Sequence, residues 1–241
     1  MKNRMIKTIN MMAIALFTLT WANAQKTSVE VTFVDHLTAG LIEQDVFVKK
    51  GSKKVYRVTP EEREKYLDAE IYSTKKAQDH DPFDIANGGP FKKGESFGMT
   101  LGEWLKASGK ATCTCDNGWG EVSAEFKNLM PNAVYTMWHS FMAKPPTVPF
   151  IGTLDTPLGN RDGSQSIFKT DAKGNASLNV KFENCLQLTD EQLMSLLAIG
   201  YHSDGQTYGV LPGPFGEVTH IQLFAVLPEE DTVEEITAGK R

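Results

Sequence analysis

Lys110-Ala111-Thr112-Cys113-Thr114-Cys115-Asp116-Asn117-Gly118-Trp119-Gly120-Glu121-Val122-Ser123-Ala124-Glu125-Phe126-Lys127-Asn128-Leu129 is the stretch whose reading decides the fold. Ala111 to Cys115 and Glu121 to Leu129 read as strands, the second alternating apolar with polar side chains as a half-buried strand does. Asp116-Asn117-Gly118 between them tolerates the positive φ of a tight reversal, so the pair predicts an antiparallel hairpin. Runs of similar length recur outward from it: Val134 to Met142, Ser166 to Thr170, Ala176 to Phe182, Leu197 to His202 and His220 to Leu227. Asp171-Ala172-Lys173-Gly174-Asn175 is a second turn signal. Short strands with regular turns predict a mainly β fold, an antiparallel β-sandwich over residues 109–228. One helical insertion is expected inside it, where Thr189-Asp190-Glu191-Gln192 forms a capping box ahead of Leu193, Leu196 and Leu197.

Within this region, Leu129-Met130-Pro131-Asn132-Ala133-Val134-Tyr135-Thr136-Met137-Trp138 resembles the L-x-P-x-x-x-Y approach into a strand of fibronectin type III and related immunoglobulin-like domains. The resemblance spans some ten residues. It implies that Leu129 and Tyr135 are core residues and that Pro131-Asn132 carries the chain between two sheets. It implies nothing about activity, because sandwiches host many functions.

Upstream, residues 25–108 read as a small N-terminal α+β extension. Val29, Val31 and Phe33 alternate as a strand. Val46 and Val48, then Lys49-Lys50-Gly51-Ser52-Lys53-Lys54, then Val55 to Val58 suggest a hairpin with a basic tip. Thr59-Pro60-Glu61-Glu62 predicts a capped helix to about Glu70. Residues 72–98, rich in Gly, Asp and Lys, read as a long irregular connection. Thr100-Leu101-Gly102-Glu103 caps a short helix that carries Trp104 and Leu105 and stops before Gly109.

The first 24 residues have the three parts of a cleavable export signal: Lys2, Arg4 and Lys7, an apolar run from Ile9 to Trp21, then Ala22-Asn23-Ala24. The run is shorter than the ~20 apolar residues of a spanning helix. The expectation is a mature chain starting at Gln25, periplasmic or secreted, with no transmembrane segment. Removing 24 of 241 residues leaves 217, with 22 basic against 30 acidic residues, a net charge of −8. That balance argues against nucleic acid as a partner through a general field. Residues 229–241 carry five acids and read as a mobile acidic tail.

Three cysteines remain, Cys113, Cys115 and Cys185. Export favours one disulfide and one leftover thiol. Cys115 and Cys185 both fall at strand ends, which favours their pairing and leaves Cys113 free. A C-x-C metal site is the weaker reading, because zinc sites usually show two such pairs with wider spacing.

No G-x-S-x-G, H-E-x-x-H, P-loop lysine or G-x-G-x-x-G motif occurs, which removes the best-marked enzyme classes without excluding an enzyme. The chemistry that remains lies in five histidines and one loop. His202 and His220 flank residues 203–219, and His139 sits mid-strand. Together His139, His202 and His220 are candidates for a zinc or copper site, which would make the chain a metalloprotein and open a route to enzymatic chemistry. Isolated histidines are more often structural, each satisfying a hydrogen bond of its own. The loop offers Tyr201, Asp204, Gln206 and Tyr208 as ligand-binding groups on a Gly- and Pro-rich path, a mix that suits a small molecule or a carbohydrate. The leading expectation is therefore an exported soluble binding domain whose contacts lie in 201–220. Weaker candidates are two oxygen-rich stretches for calcium, Asp79-His80-Asp81 with Asp84, and Asn160-Arg161-Asp162-Gly163-Ser164 near Asp155. Met137 and Met142, either side of His139, would suit copper(I), though Met in a core is the plainer explanation.

Overall fold

The computed structural model describes residues 26–39, 45–51, 53–79, 88–144, 154–230 and 232. The export signal and most of the acidic tail lie outside these. The strands are β1 (Thr27–Asp35), β2 (Phe47–Lys49), β3 (Lys54–Tyr56), β4 (Glu70–Thr74), β5 (Phe91–Thr100), β6 (Ser108–Asp116) and β7 (Trp119–Lys127). They continue with β8 (Val134–Ala143), β9 (Leu154–Pro157), β10 (Ile167–Lys169), β11 (Ala176–Glu183), β12 (Leu193–His202) and β13 (Thr219–Val226). A 3-10 helix covers Pro60–Tyr66 and a single-turn helix, α1, covers Leu101–Trp104.

The protein is mainly β. Nine strands form one antiparallel sheet curled into half a barrel, in the order β10-β8-β12-β13-β1-β6-β7-β11, with β9 also on the outer edge of β8. The β6–β7 hairpin shows how local chemistry sets the register. Asp116 lies opposite Trp119, and the two residues between, Asn117 and Gly118, have φ of 52° and 81°. Positive φ at both central positions is the turn that matches strand twist, and Asn-Gly suits it. Strand β1 makes the sheet continuous. Its first seven residues pair with β6, and Val34 and Asp35 then pair with β13.

The concave side is the main core. Leu129 and Tyr135 are buried there with Met137, Leu197, Ile199 and Leu223. Aromatic rings run across it in contact: Phe33 on Phe126 at 5.0 Å, Phe126 on Phe168 at 5.1 Å, Phe168 on Tyr135 at 5.4 Å, and Tyr135 on Tyr201 at 5.6 Å. Tyr135 also accepts from the Met130 amide at 2.9 Å and donates to Gln222 at 2.6 Å, so its buried hydroxyl is satisfied in both roles. The Cys115–Cys185 disulfide ties the end of β6 to the chain just past β11, Cα atoms 5.3 Å apart, and Cys113 is a free, buried thiol.

Strands β2, β3, β5 and β4 close into a small sheet of their own. Here the sequence expectation differs most. The stretch 72–98 contains most of β5 and the end of β4 in place of one irregular connection. Pairing shifts twice between these strands, and the alternation of buried and exposed residues is broken with it. Gly94 permits the approach: a Cβ there would lie 2.3 Å from Ser73 Oγ and 2.7 Å from the Thr74 carbonyl. The Thr59 box caps a 3-10 helix, not a longer α-helix to Glu70.

The box at Thr189 makes no helix. The Thr189 hydroxyl donates to the Leu227 carbonyl at 2.7 Å, and Asp190 Oδ1 accepts from the amides of Gln192 and Leu193, both at 2.7 Å. These bonds turn the chain directly into β12, which begins four residues before the expected Leu197. The run Leu196-Leu197-Ala198-Ile199 is buried on both faces of the sheet. Such a run fits strand and helix equally by pattern, and tertiary burial decides.

Candidate functional site

The chain between β12 and β13 is a loop held at many points. On one side it is clamped to the segment that follows β4. The Gly216 carbonyl accepts from the Thr74 amide at 2.7 Å, the Phe215 carbonyl from the Gln78 amide at 2.8 Å, and Glu217 Oε2 from the Ala77 amide at 3.0 Å. Its first turn is organised by Asp204, whose carboxylate accepts from the Gln206 amide at 3.0 Å and the Tyr208 hydroxyl at 2.6 Å. Gly213, with φ of 92°, lets the chain pass where a Cβ would lie 2.5 Å from the Tyr208 ring.

His202 fastens the same loop to the sheet. The Thr219 hydroxyl donates to the Pro212 carbonyl at 2.9 Å, so it receives the His202 Nδ1 proton at 3.3 Å. His202 Nε2 is then an acceptor for Thr136 Oγ1 at 3.0 Å, which itself accepts from Trp138 Nε1 at 2.7 Å. The relay runs from the sheet through the imidazole to the loop backbone.

Clamping the loop against β4 and β5 leaves a cleft of about 530 Å³ between the loop and the small sheet. Tyr201 and Phe97 are its aromatic residues, with ring centroids 5.6 Å apart, edge to face. Ser96 and Ser203 line it with hydroxyls, Glu95, Asp204 and Glu217 with carboxylates, and Lys75 with an ammonium. Burial by itself would raise the Asp204 pKa, but the bonds from Tyr208 and Gln206 outweigh it and hold the carboxyl below its ordinary value. Asp204 is therefore a fixed, ionised acceptor. Burial and then the Asp204 charge push the Tyr201 phenol up, so it stays a neutral donor.

Of the four residues proposed from sequence as ligand-binding, Tyr201 and Asp204 line this cleft. Tyr208 stands behind Asp204, with its own phenol pushed up to about 12 by burial and by that carboxylate. Gln206 contributes its backbone amide to the turn. Glu95, Ser96 and Phe97 were missed. They belong to β5, whose broken alternation hid the strand, and only Phe97 between Gly94 and Gly98 marks it in the sequence.

The histidines do not converge. In register, His202 lies opposite Thr219 and Tyr201 opposite His220, so the two imidazoles occupy opposite faces of the sheet although the loop ends are neighbours. His220 is fully buried on the concave side, 4.6 Å from the Phe97 ring centroid. Its Nδ1 donates to the Asp45 carbonyl, which leaves Nε2 to accept from Ser203 Oγ at 3.1 Å. His139 lies opposite Leu197, whereas His202 lies opposite Val134, five positions along β8, or roughly 17 Å at strand rise. His139 Nε2 donates to Ser195 Oγ at 2.8 Å, whose own proton goes to the Gln187 carbonyl at 2.7 Å. Burial lowers all three to about 4. Among the described residues no group of three His, Cys, Asp or Glu is arranged to hold a metal ion.

Met137 and Met142 fall in cores on opposite faces. In the 160–164 turn, Asp162 Oδ1 is taken by the Ser164 amide and hydroxyl at 3.0 and 2.7 Å. His80, Asp81 and Asp84 lie outside the described residues. Comparison with family profiles and with curated proteins found no match.

Proposed function

We propose that the protein is an exported, non-enzymatic binding protein that takes a small polyhydroxylated ligand, of the carbohydrate class, in the cleft between the β12–β13 loop and β5. We read the two halves of the curled sheet, β1-β6-β7-β11 and β13-β12-β8-β10, as the layers of a sandwich that supports it. The observation that carries the reading is the content of the cleft: two aromatic side chains beside carboxylates and serine hydroxyls, between β5 and a loop fixed by hydrogen bonds at both sides. Carboxylates accept from adjacent hydroxyls of a sugar, and aromatic faces cover its C–H surface. A site already ordered before binding loses little freedom on taking its ligand. Export is supported by the Lys2-to-Ala24 pattern and by the disulfide, which belongs to an oxidising compartment.

The test is calorimetric titration of the mature protein with a panel of neutral mono- and disaccharides. Saturable binding to at least one is expected, with Asp204→Asn weakening it about tenfold or more, as the loss of a charge-assisted hydrogen bond does. Absence of binding across the panel, or affinity unchanged in both Asp204→Asn and Glu95→Gln, would sink the proposal.

A further inference from the structure

The charges that line the cleft do not balance. Glu95 comes from β5 on one wall, Asp204 and Glu217 come from the β12–β13 loop on the other, and the single ammonium of Lys75 stands against them. Among the described residues no ion pair within 4.0 Å includes any of these four groups. The partners that the loop carboxylates do have are neutral. Asp204 is held by the Tyr208 hydroxyl and the Gln206 amide, and Glu217 by the Ala77 amide. Such bonds fix where a carboxylate stands without cancelling its charge. The Glu95 carboxylate has no hydrogen-bond partner among the described residues.

The aromatic side of the cleft adds no positive charge. Phe97 and Tyr201 pack on the buried Trp104 ring, at 6.0 and 6.2 Å between centroids, and Phe97 packs on His220 at 4.6 Å. Burial first of all lowers the His220 pKa to about 4, so that ring is neutral. Carboxylates on facing walls repel one another, and a cation placed between them relieves that cost. A metal ion does not fit the space, because among the described residues no three acids, histidines or cysteines are grouped closely enough to hold one. A wider, organic cation does.

We propose that the ligand of this cleft is an amino sugar whose amine is free and protonated. The proposal rests on the cleft being a sugar site and adds the charge of the sugar. An ammonium has three protons to donate, so it serves carboxylates from both walls. The faces of Tyr201 and Phe97 attract the same charge. The ring hydroxyls are left to Ser203 and Lys75.

Calorimetric titration of the mature protein at pH 7 with three disaccharides of one skeleton tests it. They are cellobiose, diacetylchitobiose, and the latter with both acetyl groups removed. The free-amine form should bind about tenfold or more tighter than either neutral one, and the preference should shrink as salt is raised. Glu95→Gln should cut the preference about threefold, while Glu183→Gln, on β11, leaves it unchanged. Lys75→Gln, which removes the opposing ammonium, should raise it, and a gain of this kind does not arise from misfolding. Equal affinity for the three disaccharides would overturn the inference and leave the sugar cleft standing. Binding of the free-amine form alone would support it and overturn the expectation of a neutral ligand. Spermidine bound as tightly as the free-amine disaccharide would show only the general attraction of a chain of net charge −8 for cations, and would overturn it. Failure of all three disaccharides to bind would do the same.

Discussion

The two sheets solve the same problem with unequal means. The nine-strand sheet folds over a core of large side chains, with Tyr135, Met137, Leu197, Ile199 and Leu223 all inaccessible to solvent. The four-strand sheet has short strands, two pairing shifts and a small core of Val46, Val48, Val58 and Ile71 finished by Trp104 and Leu101 of α1. It leans on its neighbour: Gln222 of β13 donates to the Trp104 carbonyl at 3.1 Å, and Asp45 accepts from the Ile221 amide at 3.3 Å. The large sheet supplies stability, and the small one supplies the polar, charged surface beside the loop. The cleft lies where they meet, lined by Glu95, Ser96 and Phe97 from the small sheet and by Tyr201, Ser203 and Asp204 from the end of β12 and the loop beyond it.

Acid is the harshest way to break that arrangement. His36, His139, His202 and His220 all have pKa values lowered to about 4, for each first of all by burial. At His36 the Asp35 charge opposes the shift, and the Arg63 and Arg57 charges add to it. In the unfolded chain these groups titrate near 6.5, so between pH 6.5 and 4 the unfolded state binds more protons. Their contribution is complete above about pH 6.5 and is lost as pH falls through 4. Urea midpoints taken from pH 7.5 to 4 should fall steeply below 6.5. A flat profile down to pH 4.5 would contradict the buried, neutral assignment. His139 and His220 are lowered to the same value, so His139→Gln and His220→Gln should each blunt the slope by a similar amount.

Truncation within the cores comes next. Phe126→Ala removes a ring from the middle of the aromatic run and should cost about 3–5 kcal/mol. Val48→Ala in the small sheet should cost about 2 kcal/mol, the transfer of two methyl groups with a small cavity. Denaturant curves followed by fluorescence and by far-UV circular dichroism should coincide for both. Separate transitions in Val48→Ala would show that the small sheet unfolds on its own.

The disulfide bears on one sheet alone. It closes a loop of 70 residues, which in the chain-entropy account stabilises by roughly 4 kcal/mol before any strain. Cys115→Ala/Cys185→Ala should lose up to that amount while sugar binding in the distant cleft is kept. Loss of binding in a folded variant would show the two regions to be coupled. Cys113 should not replace a partner readily, because burial pushes its thiol up to about 12 and leaves almost no thiolate.

Strand character was legible wherever alternation met a strong turn, as at Asp116-Asn117-Gly118, and so was the cysteine pairing, because strand ends bring side chains together. Two kinds of error share a cause. Thr189-Asp190 and Thr59-Pro60 carry helix-start chemistry, but the same side chains also bond to turn amides, and the surrounding sheet decides which they do. Residues 91–100 were unreadable because bulges and glycines replace alternation with irregular exposure. The faces of the histidines depend on one residue. Pairing jumps from Ile199↔Leu223 to Gly200↔Ile221, so Gln222 is an extra residue in β13. Simple alternation would set His220 on the face of Phe224, and the bulge puts it on the other.

Strand β1 has a consequence for the order of events during synthesis. It is the first described strand to leave the ribosome, yet Val34 lies opposite Phe224 of the last described strand. Until β13 emerges, the middle of the nine-strand sheet has no second neighbour, and the cleft has neither its loop anchor nor its floor. Assembly of this sheet must therefore wait for the whole stretch from Val34 to Phe224, and pairing across such a span is slow. A newborn chain held open in this way stays threadable for as long as its last strand is missing.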